Sequence, residues 1–492
     1  MRSGQVMIKT RNIGAVAASA LLAVSCATVD QELLEAQLPD APAEWTGERT
    51  ATAPLTGDWV ATFSDDTLYG LIDEALTRNN DFLAAAANLE QARAGSKITR
   101  ADLLPTLSAN FNAGRNAIVT NPTTAAQAGG GGTASSTRLY INNFSLGGQL
   151  RWEIDLWGRL TDETRAAYRD AAASYADLAA ARLSIAARVS QAWFALIEAR
   201  QQRELAERDV EARESNLRVT DRRFERGVAS SLDVRLSRSA LGSSQANLAF
   251  RQRLELEASR ALEVLLGRYP AAELKAAETL PALPALAGAG APGDLLARRP
   301  DLLAAEARMT AAGLRARAAR KQMLPQLTLT SQVNTSGPVL ADLIDPERLA
   351  GNLIGGIAQP LFQGGRLLAN SKRARAAAEA SLFAYAQTVL TAYQEAENAL
   401  AAESLLAMRE DALRLAFEEA AAAEELTERR YASGAATIFN LLDAQTRRIS
   451  SESQFIQAQQ QRVSNRVQLY LAIGGDFLTE ANIAALDNGE RE

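Results

Sequence analysis

Arg223-Phe224-Glu225-Arg226-Gly227-Val228-Ala229-Ser230-Ser231-Leu232-Asp233-Val234 decides the reading of this chain, because about 207 positions later it returns as Arg430-Tyr431-Ala432-Ser433-Gly434-Ala435-Ala436-Thr437-Ile438-Phe439-Asn440-Leu441. Each copy places a glycine, then a hydroxyl-bearing residue, between two long stretches with helical spacing of apolar side chains. Glycine accepts the left-handed backbone that closes one helix, and Ser230 or Thr437 can cap the next. Each copy therefore predicts an abrupt reversal between helices. Leu266-Gly267 recurs as Ile473-Gly474 at the same offset. The earlier part repeats at an offset of about 220: Arg78-Asn79-Asn80-Asp81 returns as Arg298-Arg299-Pro300-Asp301, and Leu104-Pro105 as Leu324-Pro325. A repeat of this size means one supersecondary unit used twice.

The stretches around the reversals read as long helices. No proline interrupts the chain between Arg159 and Arg226, and at ~1.5 Å per residue that stretch would extend roughly 100 Å. Leu178, Ile185, Val189, Ala192, Leu196, Ala199 and Ala206 share one helical face, and Val210, Leu217 and Phe224 continue one heptad position. That pattern predicts a coiled-coil seam with close-packing alanines. Leu382, Ala386, Val389, Tyr393, Ala396 and Leu400 repeat it. Returning helices are expected from about Ser231 to Leu266 and Thr437 to Ile473.

Before each long helix the period changes to two. Phe144, Leu146, Gly148, Leu150, Trp152 and Ile154 alternate with Ser145, Gly147, Gln149, Arg151 and Glu153, the pattern of a membrane strand with one face to lipid and one to a lumen. A partner strand is expected from about Thr106 to Val119, with Thr120 to Arg138 as an outer loop. Leu327, Leu329, Ser331 and Val333 alternate with polar neighbours in the second copy, and a less regular strand follows from Asn352 to Leu361. Soluble hairpins are the alternative on pattern alone. Four strands are too few to close a barrel, and an open edge does not persist in lipid. Two copies would give eight strands and a filled bore; three would give twelve and room for water, which the polar face favours.

Composition excludes several classes. The 492 residues carry a net charge of -6, no histidine and one cysteine. No basic patch favours nucleic acid, and His-based acid/base sites and His/Cys metal centres are excluded. No catalytic residue, cofactor or metal site is expected; Glu418-Glu419 and Glu424-Glu425 read as solvated helix faces. Arg2, Lys9 and Arg11 precede an apolar run from Ile13 to Val24, then Ser25-Cys26. This is the layout of an export signal, and the place of the sole thiol points to lipid attachment at Cys26. A plain cleaved signal and an inert buried thiol are the alternatives. Beyond the signal no run reaches the length of a membrane helix.

Taken in order, the lipoprotein-like start, Leu-Pro before each strand pair, Asp155-Leu156-Trp157-Gly158-Arg159, Arg298-Arg299-Pro300-Asp301 and the two glycine reversals resemble the TolC-like outer-membrane efflux channels, in the lipoprotein branch that serves resistance-nodulation-division (RND) pumps. The resemblance implies a mainly α chain with membrane β: a homotrimer whose 12-stranded β-barrel, four strands per chain, continues into a periplasmic α-helical barrel. It also implies a periplasmic adaptor protein, an inner-membrane RND pump and outer-membrane lipid as partners. The expected division is a signal at 1–25, a lipidated segment at 26–65, repeat 1 at 66–267, an equatorial linker at 268–299, repeat 2 at 300–474 and a tail at 475–492.

On this resemblance Asp443 matches an acidic ring at the periplasmic aperture, with Asn440, Tyr431 and Asp233 beside it. Gly227, Val228, Ala229, Ser230, Gly434, Ala435, Ala436 and Thr437 would meet the adaptor. The local alternative is that the glycines only turn the chain, Ser230 and Thr437 cap helices, and Asp233 and Asp443 complement helix dipoles. Ala436 and Leu232 stand where the family can hold an arginine link and its hydroxyl partner, so the closing contacts must differ. A type I secretion channel of the same fold and a pore-free envelope coiled-coil lipoprotein are the other readings.

Overall fold

The computed structural model describes residues 45–46, 59–120, 137–284, 286, 288 and 290–475. The export signal, Cys26, most of the amino-terminal segment, the centre of the expected outer loop and the tail beyond 475 lie outside the described residues. The elements run α1 (Asp66–Arg78), α2 (Asn80–Ala101), β1 (Thr106–Thr120), β2 (Thr137–Ile154), α3 (Arg159–Glu225), α4 (Ser231–Leu265), α5 (Pro300–Lys321), β3 (Gln326–Gly337), β4 (Ala350–Ala358), α6 (Arg366–Ala432) and α7 (Ile438–Ala472). The duplication is reproduced in helix length: α2 and α5 have 22 residues each, α3 and α6 67, and α4 and α7 35.

One compact unit holds 94–120, 137–167 and 309–382 among its described residues. Its strands form one antiparallel sheet in the order β1-β2-β3-β4. Leu104-Pro105 and Leu324-Pro325 end α2 and α5, since the residue before proline is pushed to extended backbone. Trp152 Nε1 donates to Leu103 O at 2.9 Å and Trp157 Nε1 to Pro325 O at 2.7 Å, tying both Leu-Pro segments to β2 and the turn after it. In that turn Asp155 accepts from the Leu160 and Thr161 backbone at 3.1 and 2.8 Å, and Gly158 is left-handed at φ +71. Arg159 pairs with Glu153 and Glu163 at 2.7 and 3.0 Å.

The other unit holds 168–308, 383–475 and the described residues before 94. Its core joins Trp59, Phe63 and α1 to the middle of α3 and the ends of α4 and α7. Phe63 meets Phe194 with centroids 5.4 Å apart, Trp59 meets Tyr470 at 5.5 Å, and Trp193 Nε1 donates to Asp65 Oδ2 at 2.8 Å. The segment 267–284 lies against the helices through backbone carbonyls: Arg200 donates to Ala276 O, Gln201 to Glu278 O and Arg466 to Pro284 O.

Helices α1, α2 and α5 go beyond what the sequence pattern predicts. Asn79 caps α2, its Oδ1 accepting from Asp81 and Phe82, while its Nδ2 donates to Leu265 O at 2.8 Å, the last carbonyl of α4. Arg299, at the same repeat position, donates to Ala472 O at 3.0 Å, the last carbonyl of α7. The repeated motif thus ties the start of one helix to the end of another in each half.

Two expectations need correction. Beyond Ala206 the predicted line through Val210, Leu217 and Phe224 is not the buried one, and Phe224 is 48 % exposed. Asp209, Arg213 and Thr220 are buried instead, because each finds a polar partner there. Glu424 is not on a solvated face: it turns inward onto Arg448 at 2.6 Å.

Candidate functional site

The sheet has two chemically distinct faces. Cross-strand partners share a face, and the pairs Leu107 with Leu150, Phe111 with Leu146, Ala113 with Phe144, Trp152 with Leu329 and Leu327 with Ile357 make one face apolar. Ser108 with Gln149, Asn112 with Ser145, Gln149 with Gln332, and Arg151 with Thr330 make the other polar over the helix-bearing part of the sheet, while Ile118 with Leu139 and Ile141 opposite Asn116 bring apolar side chains to it at the far end. Asn112 Nδ2 donates to Ser145 Oγ at 3.3 Å on that face. β1 and β4 are edge strands, each with no outer neighbour among the described residues. Strand β2 begins at Thr137, seven residues before the alternation singled out in the sequence.

The helix tips are built alike. Gly227 and Gly434 have φ +77 and +81. Val228 N donates to Arg223 O at 2.9 Å and Ala435 N to Arg430 O at 2.8 Å, so each closes its helix by the six-to-one bond of a Schellman ending. Ser230 then caps α4: Asp233 N donates to Ser230 Oγ at 3.2 Å, and Ser230 N returns to Asp233 Oδ2 at 2.7 Å. Asp233 is therefore engaged at its own helix start. Thr437 caps α7 by accepting from Asn440 N at 3.3 Å, and its hydroxyl donates to Asn440 Oδ1. Val228 is 73 % exposed, and Gly227, Gly434, Ala435, Leu232 and Phe439 also face outward, while Ala229 and Ala436 are half-buried.

The structure brings the two tips together through Tyr431, which packs with Ile438, Leu441, Leu236 and Ala436. Its hydroxyl lies 3.2 Å from Thr220 Oγ1, and the Arg223 guanidinium stands 4.4 Å over its ring. Arg223 also donates to the Tyr431 and Ala432 carbonyls at 3.1 and 3.0 Å. An arginine does join the tips, from α3 rather than from position 436. Asp443 is exposed in the single chain and pairs with Arg447 one turn on at 2.9 Å.

A polar ladder between α3 and α7 lies outside every site residue expected from the sequence. Arg213 Nε binds Asp209 at 2.8 Å and its other arm reaches Thr446 Oγ1 at 3.3 Å; Asn216 donates to Gln445 at 2.9 Å, and Ser453 Oγ to Gln202 at 2.8 Å. Burial pushes the Asp209 carboxyl above its ordinary value despite Arg213. Burial pulls Arg448 down, but Glu424 and Glu452 outweigh it and hold the guanidinium above its usual range. The signal was available: Asp209, Arg213, Asn216 and Thr220 keep the helical spacing of the apolar seam.

Among the described residues no group of His, Cys, Asp or Glu could hold a metal ion, and no helix is long and apolar enough to cross a membrane. A sheet with a greasy face, a polar face and two free edges, on a chain of duplicated helical hairpins, defines the subunit of a strand-built membrane channel. The family model for outer membrane efflux proteins matches residues 71–268 and 291–475, one stretch per repeat, and the chain belongs to that family. It is 32 % identical over 447 residues to the outer membrane protein OprJ of Pseudomonas aeruginosa, covering 89 % of this chain and 91 % of OprJ. It is 29 % identical over 485 residues to the toluene efflux pump outer membrane protein TtgC of Pseudomonas putida, covering 96 % and 98 %. Among solved structures, the outer-membrane channel OprN superposes with a TM-score of 0.78 at 26 % identity, covering 89 % of this chain and 98 % of OprN. The open-state MtrE outer membrane channel of Neisseria gonorrhoeae gives 0.71 at 29 % identity, covering 89 % and 98 %.

Proposed function

We propose that three copies of this chain pool their sheets into a 12-stranded barrel, and that the assembly is the outer-membrane duct of a tripartite efflux system. The single observation that supports this best is the sheet itself: one apolar face, one polar face and both edges unpaired. In lipid those edges must be closed by other copies, and twelve strands leave a wet bore where eight would be filled by side chains. The barrel continues into a helical duct of α3, α4, α6 and α7, and a periplasmic adaptor meets the tip turns. An inner-membrane RND pump supplies the energy, and small toxic compounds are the cargo. Cys26 carries the lipid anchor.

At the periplasmic end, three copies of Asp443 and Asn440 line the aperture, with Tyr431 and Arg223 holding the two tips of each chain together. Carboxylates gathered around a narrow exit repel one another, attract cations and select what passes. Purified protein in planar bilayers is expected to conduct, and Asp443→Asn to lower cation preference. A trimer that does not conduct would favour the pore-free envelope protein, and unchanged selectivity in Asp443→Asn would remove that residue from the aperture. An ATP-driven exporter encoded beside this chain would redirect the reading to type I secretion.

A further inference from the structure

The apolar face of the sheet changes chemistry at one end. Followed from Trp152 through Leu150, Leu146 and Phe144, that face of β2 continues to Asn142, Tyr140 and Arg138. Opposite them on β1 stand Arg115, Ala117 and Val119. Two guanidiniums and a phenol thus sit on the greasy side. All three side chains are exposed, Tyr140 by 53 %, and the Arg115 guanidinium stacks 4.7 Å over the Tyr140 ring. Neither arginine has a carboxylate partner among the described residues. The acids of the nearby 338–349 segment are occupied in part: Asp342 and Asp345 each pair with Arg348 at 3.3 Å.

The height of this group on the sheet is informative. Trp152, at the helix-bearing end, lies about ten residues along β2 from the partner of Arg115, or ~33 Å of strand at ~3.3 Å per residue. Tilted by ~40°, that is roughly 25 Å across the membrane, the height of the apolar band of an outer-membrane barrel. Trp152 and Tyr140 then occupy the two aromatic girdles, and Arg115 and Arg138 stand at the far interface, where headgroups begin. Arginine there offers a planar fork matched to phosphate, and a guanidinium already stacked on a ring loses little freedom on binding.

We propose that Arg115, Arg138 and Tyr140 form an outward-facing site for the phosphorylated headgroup of an outer-leaflet glycolipid. The site rests on the membrane-barrel reading above. It binds phosphate from the lipid side of the wall, apart from the lumen and the transported compounds. The polar face carries its own arginine, Arg151, paired across the strands with Thr106 and Thr330, which provides a control of equal charge.

The test is native mass spectrometry of the protein released from nanodiscs containing lipid A, its phosphate-free counterpart, or neither, with and without excess inorganic phosphate. The wild-type trimer should retain lipid A in preference to the phosphate-free form, and inorganic phosphate should not displace it. Arg115→Gln or Arg138→Gln should weaken retention about five-fold and the double variant about 30-fold, as expected for ~1 kcal/mol per interfacial arginine, whereas Arg151→Gln should leave it unchanged. Equal retention of the phosphate-free lipid, or an equal loss in Arg151→Gln, would overturn the proposal. Glu347 is the remaining, exposed acid of the 338–349 segment, and Glu347→Gln reproducing the loss together with weakened trimers would overturn it differently, assigning the arginines to the neighbouring copy. A wild-type protein that stays monomeric in every disc would instead strike the barrel reading.

Discussion

Four glycines end the four long helices with the same backbone but different surroundings, and this separates the cost of conformation from the cost of contact. Gly227, Gly434, Gly267 and Gly474 have φ of +77, +81, +71 and +90. Each substitution by alanine must force an L residue into left-handed space, about 1–2 kcal/mol. At Gly227 and Gly434 an added Cβ would meet nothing within 4 Å, so the cost stops there. At Gly267 the Cβ would lie 2.6 Å from Arg78 O and 3.1 Å from Arg78 C. Backbone cannot rotate away, so a further ~1–3 kcal/mol of overpacking applies. Gly474 is intermediate, with Arg298 C and O at 3.1 Å. The expected order of destabilisation is Gly267→Ala, then Gly474→Ala, then Gly227→Ala and Gly434→Ala together. Guanidinium titration of detergent-solubilised protein, followed by circular dichroism under one protocol, provides the ranking. If Gly227→Ala costs as much as Gly267→Ala, the close approach of the repeated motif to the helix ends adds nothing and the reasoning fails.

Tyr431→Phe removes the hydroxyl that meets Thr220 and should cost about 1 kcal/mol, seen as faster amide exchange at the tips and more frequent channel openings; unchanged exchange and gating would count against a tip-to-tip tie. Leu146→Arg, on the apolar face midway between Trp152 and Tyr140, should cost ~2–4 kcal/mol in membranes while Ser145→Arg on the other face is tolerated, and the reverse outcome in a refolding assay would invert the assignment of faces. Two buried carboxylates should respond to acid with opposite sign. Burial raises Asp209, so its contribution is fully present below the unfolded value of about 3.9 and lost as pH rises through the folded pKa; wild type should gain on Asp209→Asn as the medium is acidified. For Glu263 burial acts upward, but the backbone N–H groups of Ala272, Glu273 and Leu274, with Arg268, hold the carboxyl below its usual range. Its stabilisation exists above about 4.3 and is lost as pH falls through the folded value, so wild type should lose ground to Glu263→Gln on acidification. Parallel pH profiles for both pairs would contradict the two environments.

Strands, tips and long helices were legible because each is written in a local period or in a glycine followed by a capping hydroxyl. β1 begins at Thr106 and α3 at Arg159, where proline and the Asp155 cap place them. α2 and α5 were hidden because their sense lies at a distance: Asn79 and Arg299 matter for carbonyls 186 and 173 residues away. The seam of α3 beyond Ala206 is hidden for a related reason. Apolar spacing alone passes over Asp209 and Arg213, which pair with each other while Arg213 reaches Thr446 of α7. At the tips, Ser230 and Thr437 were readable as caps, yet Arg223 was not readable as the tie to Tyr431, since nothing local distinguishes it from the other arginines near the helix end. Among the described residues Asp443 meets only Arg447, so a role at an aperture depends on other copies.

The free edges of β1 and β4 bear on how the protein is made. A single copy offers the bilayer two rows of unmatched backbone groups, so insertion, folding and association collapse into one step whose rate depends on how many copies meet. The same edges make the assembly vulnerable to poisoning: with half the copies damaged at one edge, about one ring of three in eight would be wholly sound. A lesion at β1 or β4 should therefore behave as a dominant defect, whereas a lesion confined to β2 or β3 need not.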